Sequence, residues 1–260
     1  MKVLFIGDVT GKPGRRIVAD RLPALRRTHG LDVVIANGEN SAGGMGLTAG
    51  TVAELLASGV DVITNGNHVW HNREAYELLD ADPRVLRPAN YPPGVPGRGA
   101  AVVTTPGGVV IGVLNLQGRV FMQELDDPFR AGREQAAALR AKVPAVIVDF
   151  HAEATSEKIA MGWYLDGHVS AVIGTHTHVQ TADERILPQG TAFITDVGMT
   201  GPRDGIIGMA REAILERFLT QLPVRFEVAP GLVQLNGVII TVGDDGRAGA
   251  IERLQIVADG

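Results

Sequence analysis

The stretch VLFIGDVTGKPG, residues 3–14, decides how the rest of the chain is interpreted. Its four consecutive apolar residues, 3–6, have the length and composition of a buried β-strand, and a glycine-rich polar segment follows. A nucleotide-binding P-loop requires the pattern G-x-x-x-x-G-K-[ST]. Here the glycines are one residue too close, and Pro13 stands where the magnesium-binding hydroxyl should be. The segment is therefore not a P-loop, and Asp8 is left as a carboxylate at a strand exit or as a helix cap.

The composition limits the classes of protein to which the chain can belong. The chain has 260 residues, a formal net charge of -5 and no cysteine. A net negative charge without a basic stripe argues against stable nucleic-acid binding. The absence of cysteine excludes disulfides and thiolate ligands, so any metal must be bound by oxygen and imidazole. No segment approaches the roughly 18 apolar residues of a membrane span, and the N-terminus turns polar early, so we expect a cytoplasmic protein.

Short apolar, β-branched runs alternate with helix-like stretches along the chain, which is typical of α/β proteins with buried, largely parallel strands. Two further pairs of apolar runs, 100–104 with 109–114 and 237–242 with 250–256, predict β-hairpins. No repeat or domain boundary is visible, so the sequence predicts one α/β domain over residues 1–260, a two-sheet sandwich with helices outside. The predicted strands are 3–6, 33–36, 62–64, 146–148, 172–173 and 192–195, and the predicted helices are 15–27, 49–58, 73–79, 133–141 and 156–165.

Polar residues follow five of the predicted strands, at the point where each strand ends. In open α/β folds, ligands bind outside the carboxyl ends of the strands. Each segment by itself has an ordinary alternative, such as a turn or a helix cap. Their recurrence at successive strand ends indicates one shared site. The segments are Gly7-Asp8, 37–40 (NGEN), 65–68 (NGNH), 149–153 (DFHAE) and 174–178 (GTHTH).

The pair His176 and His178 is the strongest single indication of a metal. In an extended strand end, residues i and i+2 face the same side, so the two imidazoles should converge. Neutral imidazoles are common metal ligands, and the other strand exits add carboxylates and amides, a set that suits Mn, Fe or Zn. This many candidate ligands exceeds what one ion needs. Two cations bridged by a carboxylate ~3.5–4 Å apart are used by phosphatases and nucleases.

In this order, the motifs resemble those of the calcineurin-like metallophosphoesterases, and their variants resemble the YmdB-like branch of that superfamily. The resemblance implies an α/β fold of the four-layer α/β/β/α sandwich type with a two-metal centre. It also implies hydrolysis of small phosphate esters, foremost 2′,3′-cyclic nucleotides, with phosphatase activity, by a metal-activated bridging hydroxide. The motifs are Gly7-Asp8, an acidic residue, Gly66-Asn67-His68, a lone histidine, and Gly174-x-His176-x-His178.

The resemblance further implies a role for each of eight residues. Glu39 would bridge the two cations, and His68 would donate a proton to the leaving oxygen without binding metal. Iron or manganese is favoured, with magnesium and zinc as alternatives. One cation would be held by Asp8, Glu39, Asn40 and His178, and the other by Asn67, His151 and His176.

Several positions depart from the superfamily pattern or remain open. The usual D-x-H opening is D-x-T, ending at Thr10, and the usual G-D-x-x-D is Gly38-Glu39-Asn40; both are features of the YmdB-like branch. Val69 stands where many relatives carry an acidic residue that orients the histidine. Asp196 is either a partner of a ligating histidine or a cap, and the glycine-rich segment 41–46 either contacts phosphate or is a plain loop.

Two other functions compete with the phosphoesterase. The chain could be a regulatory protein that binds metal and a phosphate-containing ligand with little turnover. A metal-dependent amidohydrolase is disfavoured, because such enzymes usually place the H-x-H pair early and lack a G-N-H segment. The predicted partner is a small nucleotide or phosphoester, with neither a membrane nor a stable nucleic-acid complex. The apolar segments 92–95 and 222–228 are candidate contacts for a homo-oligomer.

Overall fold

Two six-stranded sheets form the centre of the computed structural model, which describes residues 1–259. The predicted domain ends at Gly260, which lies outside the described residues. The strands are β1 (Lys2–Ile6), β2 (Val33–Asn37), β3 (Val62–Thr64), β4 (Ala100–Thr104), β5 (Val110–Gln117), β6 (Val146–His151), β7 (Ala171–Thr175), β8 (Arg185–Ile186), β9 (Ala192–Ile194), β10 (Gly201–Pro202), β11 (Val233–Val242) and β12 (Ala248–Ala258).

The first sheet has the order β10-β11-β1-β2-β3, and β12 pairs along β11. Strands β1, β2 and β3 are parallel to one another, whereas β11 is antiparallel to β1. The second sheet has the order β4-β5-β6-β7-β9-β8, with parallel pairing from β5 to β9. Both predicted hairpins are confirmed as the antiparallel pairs β4–β5 and β11–β12.

Helices cover the outer face of each sheet. Alternate residues of a strand face opposite sides, so in β1 Phe5 lies between the sheets while Leu4 packs under helices. Because both faces are apolar, the strands read as continuous hydrophobic runs. The result is the predicted four-layer α/β/β/α sandwich. The helices are α1 (Gly11–His29), α2 (Ala49–Ala57) and α3 (Ala75–Ala81) on the first sheet, α4 (Pro128–Arg140) and α5 (Thr155–Tyr164) on the second, and α6 (Arg211–Thr220).

The sequence placed five of these helices but missed the start of α4 and the whole of α6. Helix α4 begins at Pro128 instead of residue 133, because the Asp127 carboxylate accepts hydrogen bonds from the backbone N–H groups of Phe129 and Arg130. In α6 only Ile214 is buried, so the helix has no apolar stripe that a sequence pattern could reveal. None of the described helices is both long and apolar enough to cross a membrane.

The contact between the two sheets becomes polar near the carboxyl ends of the strands. Asn115 of β5 and Asn65, just after β3, belong to different sheets and are both fully buried. The Asn115 side chain accepts a hydrogen bond from the Asn65 backbone N–H at 3.0 Å and donates one to its carbonyl oxygen at 2.9 Å. This contact holds the start of the segment that continues into Gly66-Asn67-His68.

We predict that Asn115→Ala lowers the free energy of unfolding by about 2–6 kcal/mol, because it leaves two backbone groups buried without partners at about 1–3 kcal/mol each. Urea denaturation followed by circular dichroism measures the change. The control is Thr104→Ala, at an exposed position of the neighbouring strand, which should change stability by no more than about 0.5 kcal/mol. Equal losses in the two variants would contradict the prediction.

Candidate metal centre

The eight residues predicted for the site meet at the carboxyl ends of the parallel strands, seven of them in one connected cluster and His68 beside it. They come from both sheets: the first sheet supplies the oxygen-bearing side chains and His68, and the second supplies three imidazoles. Asp8 follows β1, Glu39 and Asn40 follow β2, Asn67 and His68 follow β3, His151 ends β6, and His176 and His178 follow β7.

Four side chains surround one point between the sheets. The Nε2 atom of His151 lies 3.0 Å from Glu39 Oε1, 2.9 Å from Asn67 Oδ1 and 3.0 Å from His176 Nδ1. The potential ligand atoms of Glu39, His151 and His176 all lie within 4.8 Å of one another. Such a group of converging carboxylate and imidazole atoms can hold a divalent cation.

A second, looser group adjoins the first. His178 Nε2 lies 3.2 Å from the Asn40 side-chain amide and 3.9 Å from Asp8 Oδ1. The same Asn40 amide lies 3.3 Å from Glu39 Oε1, the oxygen that also contacts His151. The Glu39 carboxylate is therefore shared by the two groups.

The burial of Asp8 indicates that a cation belongs here. Asp8 is fully buried, and its Oδ1 atom has no hydrogen-bond partner. Burial raises the pKa of this carboxyl, against the opposing effect of His178 and His151. The other oxygen, Oδ2, accepts only the His176 backbone N–H at 3.3 Å. A buried ionised carboxylate with an unpaired oxygen is costly unless a positive charge neutralises it. The donor set of carboxylates, amides and imidazoles fits divalent metal ions.

The imidazoles respond to the same charges. Burial alone would lower the pKa of His151, but the carboxylates of Glu39, Asp8 and Asp149 raise it to about 9. Burial and the neighbouring His151 lower the pKa of His176 to about 3. The raised pKa of His151 therefore shows that the surrounding carboxylates favour a positive charge at this point.

Each candidate imidazole ligand has its second ring nitrogen held by a protein oxygen. His151 Nδ1 lies 2.9 Å from the Thr175 hydroxyl, and His178 Nδ1 lies 3.1 Å from the carbonyl oxygen of Ile207. His176 Nε2 lies 3.1 Å from the Glu153 carboxylate. In metal sites this arrangement fixes the tautomer and points the other nitrogen at the ion. Sequence reasoning did not find these partners, because they follow from tertiary contacts.

The predicted geometry of the H-x-H pair is wrong, although both histidines lie in the cluster. Strand β7 ends at Thr175, before either histidine. His176 and His178 have φ values of 95° and 66°, in the left-handed region, so the segment is not extended. The two rings therefore do not share one side: His176 joins the group around His151, and His178 joins the group around Asp8.

His68 lies beside the cluster instead of within it. Its backbone N–H donates a hydrogen bond to Glu39 Oε2 at 3.1 Å, and its ring Nε2 lies 3.4 Å from the Asn67 amide nitrogen. The side chain is half-buried, and burial lowers the pKa of the imidazole. Val69 is fully buried in the core under the helices, which explains why an apolar residue follows the histidine.

The fold defines the class of protein. The structure superposes on that of a 5′-nucleotidase precursor from Thermus thermophilus with a TM-score of 0.61 at 13% identity, covering 100% of this chain and 54% of the other. At that identity the likeness concerns the fold alone. The fold class is the predicted four-layer α/β/β/α sandwich, with histidines and carboxylates at its strand ends.

The family is narrower than the class. The YmdB-like protein family matches residues 4–254, and the chain belongs to it. The chain is 53% identical over 260 residues to the 2′,3′-cyclic-nucleotide 2′-phosphodiesterase of Bacillus subtilis (strain 168), covering 100% of this chain and 98% of that protein. It is also similar to a phosphatase from Mycoplasma pneumoniae, with 36% identity, a TM-score of 0.92 and coverage of 100% and 94%. The prediction of an enzyme that hydrolyses phosphoesters is confirmed.

Gly66 allows the two sheets to approach closely at the site. A Cβ atom at this position would lie 2.1 Å from His151 Cδ2, too close for any real contact. We therefore predict that Gly66→Ala displaces His151 and lowers metal affinity by at least about ten-fold, the lower end of the loss that follows when a ligand loses its support. Isothermal titration of metal-stripped protein with Mn²⁺ measures the loss.

The matched control is Gly50→Ala in the exposed part of α2, where a Cβ would meet only Thr48 Oγ1 at 3.9 Å. This variant should bind Mn²⁺ like the parent and gain up to about 1 kcal/mol of stability, because alanine favours the helix. Parental affinity in Gly66→Ala would show that the approach of the two residues is not needed for the site.

Proposed function

We propose that the chain is a dinuclear-metal phosphodiesterase that opens 2′,3′-cyclic nucleotides and also hydrolyses phosphomonoesters. The observation that carries the proposal is the position of Glu39, whose Oε1 atom lies 3.0 Å from His151 in one group and 3.3 Å from Asn40 in the other. A carboxylate shared by two ligand groups is what a bridged pair of cations requires. The name of the Bacillus subtilis relative supports the substrate class.

The proposed ligands divide between the two ions. Asp8, Asn40 and His178 would hold one ion together with the bridging Glu39. Asn67, His151 and His176 would hold the other. The sulfur-free donors favour iron or manganese, with magnesium or zinc as alternatives. When bound, two such cations neutralise the phosphoryl oxygens and lower the pKa of the attacking water.

His68 would complete the reaction by donating a proton. Water adds to phosphorus and releases one proton to solvent, the bond from phosphorus to the ribose oxygen breaks, and the proton on the imidazole passes to that oxygen. The imidazole then regains a proton from solvent. The hydrogen bond from the His68 backbone to Glu39 Oε2 places the residue beside the proposed bridge. Its half-buried position keeps the ring accessible to a substrate that enters from solvent. By analogy with the relative's name, the bond that breaks is the one to the 2′ oxygen.

A small nucleotide suits the charge of the molecule better than a polymer does. The formal net charge is -5. Tight binding of RNA or DNA requires neutralisation of several phosphates by basic side chains. A single cyclic phosphate requires only the charge at the centre itself.

Hydrolysis of 2′,3′-cyclic AMP tests the proposal. We predict that metal-stripped protein is inactive and that Mn²⁺ or Fe²⁺ restores turnover, with weaker restoration by Mg²⁺ or Zn²⁺, because the donors are oxygen and imidazole. Chromatographic quantification of the nucleoside monophosphate products gives the rate and shows which ribose oxygen is released. If two ions bind but no phosphoester is turned over, the chain is a regulatory metal-binding protein instead.

Replacement of His68 separates proton donation from metal binding. We predict that His68→Ala lowers kcat by about 10²–10⁴-fold, the usual contribution of general acid catalysis. The number of metal ions bound per chain, measured by inductively coupled plasma mass spectrometry, should not change. His71→Ala, an exposed neighbour of His68 with ring centroids 6.4 Å apart, should keep near-parental kcat. Parental kcat in His68→Ala would refute its role.

Three statements about the wider setting of the molecule stay predictions. These are that residues 1–260 form one domain, that the protein is cytoplasmic, and that its exposed apolar segments are candidate contacts for a homo-oligomer. Exposed apolar side chains on and after α6, including Phe218, Leu219 and Leu222, support the last of these.

A further inference from the structure

A buried ion pair lies directly behind the segment that carries His176 and His178. Lys158 of α5 is fully buried, and its Nζ atom lies 2.7 Å from Oδ2 of Asp196, which is also fully buried. Taking two charges out of water is costly, so a buried pair is weak support for stability and calls for another explanation. The sequence alone leaves Asp196 as either a partner of a ligating histidine or a cap.

The pair forms hydrogen bonds with Thr177, the residue between the two histidines. The same Asp196 Oδ2 accepts hydrogen bonds from the Thr177 backbone N–H at 3.0 Å and from its hydroxyl at 2.6 Å. Lys158 Nζ lies 3.1 Å from the Thr177 hydroxyl. Thr177 is thus held through both its backbone and its side chain. Asp196 acts on the histidines through Thr177, and its carboxylate contacts neither imidazole directly in the contacts described.

The other Asp196 oxygen reaches the far side of the same loop. Oδ1 accepts a hydrogen bond from the Gly198 backbone N–H at 2.7 Å. The next residue, Met199, donates its backbone N–H to the carbonyl oxygen of His178 at 3.1 Å. The Asp196 carboxylate therefore fixes Thr177 directly. It fixes the carbonyl group of His178 indirectly, through Gly198 and the adjacent Met199.

The backbone conformation of the loop explains why these hydrogen bonds to Thr177 are needed. His176 and His178 both have left-handed backbone angles, which are unfavourable for residues with a Cβ atom. These angles turn the two rings toward different ligand groups instead of toward the same side. Such a conformation persists only where the surrounding structure over-determines it. The contacts to Thr177 supply that constraint at the residue between the two turns.

We propose that Lys158 and Asp196 are positioning residues, which hold His176 and His178 in the conformation that delivers one imidazole to each of two cations. The inference rests on the proposed metal-ligand roles of the two histidines. In the contacts described, Lys158 Nζ bonds Asp196 and Thr177 and none of the proposed metal ligands. Its effect passes through Asp196 and Thr177 to the histidines on either side.

The first test compares Lys158→Met with Arg26→Met. Arg26 forms the corresponding pair with the buried Asp61, at the opposite end of β3 from the site. Both variants should lose stability in urea denaturation, because each leaves a buried carboxylate without its cation. Only Lys158→Met should weaken Mn²⁺ binding to the metal-stripped protein, by about 10–100-fold in isothermal titration, the range expected when the support of a metal ligand is lost.

A milder pair of variants keeps the test decisive if Lys158→Met fails to fold. Thr177→Val removes only the hydroxyl, whereas Thr177→Ser keeps it. We expect the valine variant to lose Mn²⁺ affinity and the electron paramagnetic resonance signal of two coupled Mn²⁺ ions. The serine variant should keep both, because its hydroxyl can still bond Asp196 and Lys158. A purely structural role would not change the coupling signal of the folded protein.

The outcomes separate this inference from the proposed function. If the parent protein binds two Mn²⁺ ions but Thr177→Val and folded Lys158→Met bind both with parental affinity and coupling, the positioning role is overturned. If the parent itself binds no pair of ions, the dinuclear proposal fails, and this inference fails with it. Loss of affinity in Lys158→Met and Thr177→Val, with retention in Arg26→Met and Thr177→Ser, supports it.

Discussion

The buried carboxylate of Asp149 joins the two sheets at the edge where the candidate metal centre lies. Its Oδ2 atom accepts hydrogen bonds from Asn37 and Thr64 of the first sheet, and its Oδ1 accepts one from Thr175 of the second at 2.7 Å. Burial raises the pKa of this carboxyl to about 7, although His151 and the hydroxyl donors oppose the rise. The same Thr175 hydroxyl lies 2.9 Å from His151 Nδ1. Asp149 therefore joins the two sheets and, through Thr175, orients the His151 imidazole.

The division of the proposed ligands between the sheets follows from this architecture. The first sheet supplies the oxygen-bearing candidates Asp8, Glu39, Asn40 and Asn67, whereas the candidate imidazole ligands all come from the second. Neither sheet alone can form the centre. The apolar layer between the sheets brings the two halves together without specifying their register. The polar contacts at the site end, such as those of Asp149 with Asn37 and Thr64, supply that register.

The sequence predicted which residues meet at the strand ends, but it did not predict the contacts that surround them. Strand exits are local signals, so the positions of Asp8 and His151 followed from an apolar run and the polar residue at its end. Lys158 carries no such signal: a lysine in an amphipathic helix is usually solvated, and its burial depends on Asp196, 38 residues away. The left-handed angles at His176 were equally invisible, because they are imposed by contacts with segments distant in sequence.

The buried carboxylates around the site differ in the group that neutralises them. That difference distinguishes Asp196, which positions a loop, from Asp8 and Glu39, which are proposed to bind metal. Asp196 has the side-chain nitrogen of Lys158 at 2.7 Å, so its partner is a residue of the chain itself. Asp8 and Glu39 face imidazoles instead, and Asp8 keeps one oxygen without a donor. A second lysine placed there would neutralise the same charge and leave no electrostatic reason to bind a metal. The fold thus places Lys158 behind the proposed site, where it neutralises Asp196. The carboxylates of Asp8 and Glu39 have no lysine beside them, which leaves them to a bound cation.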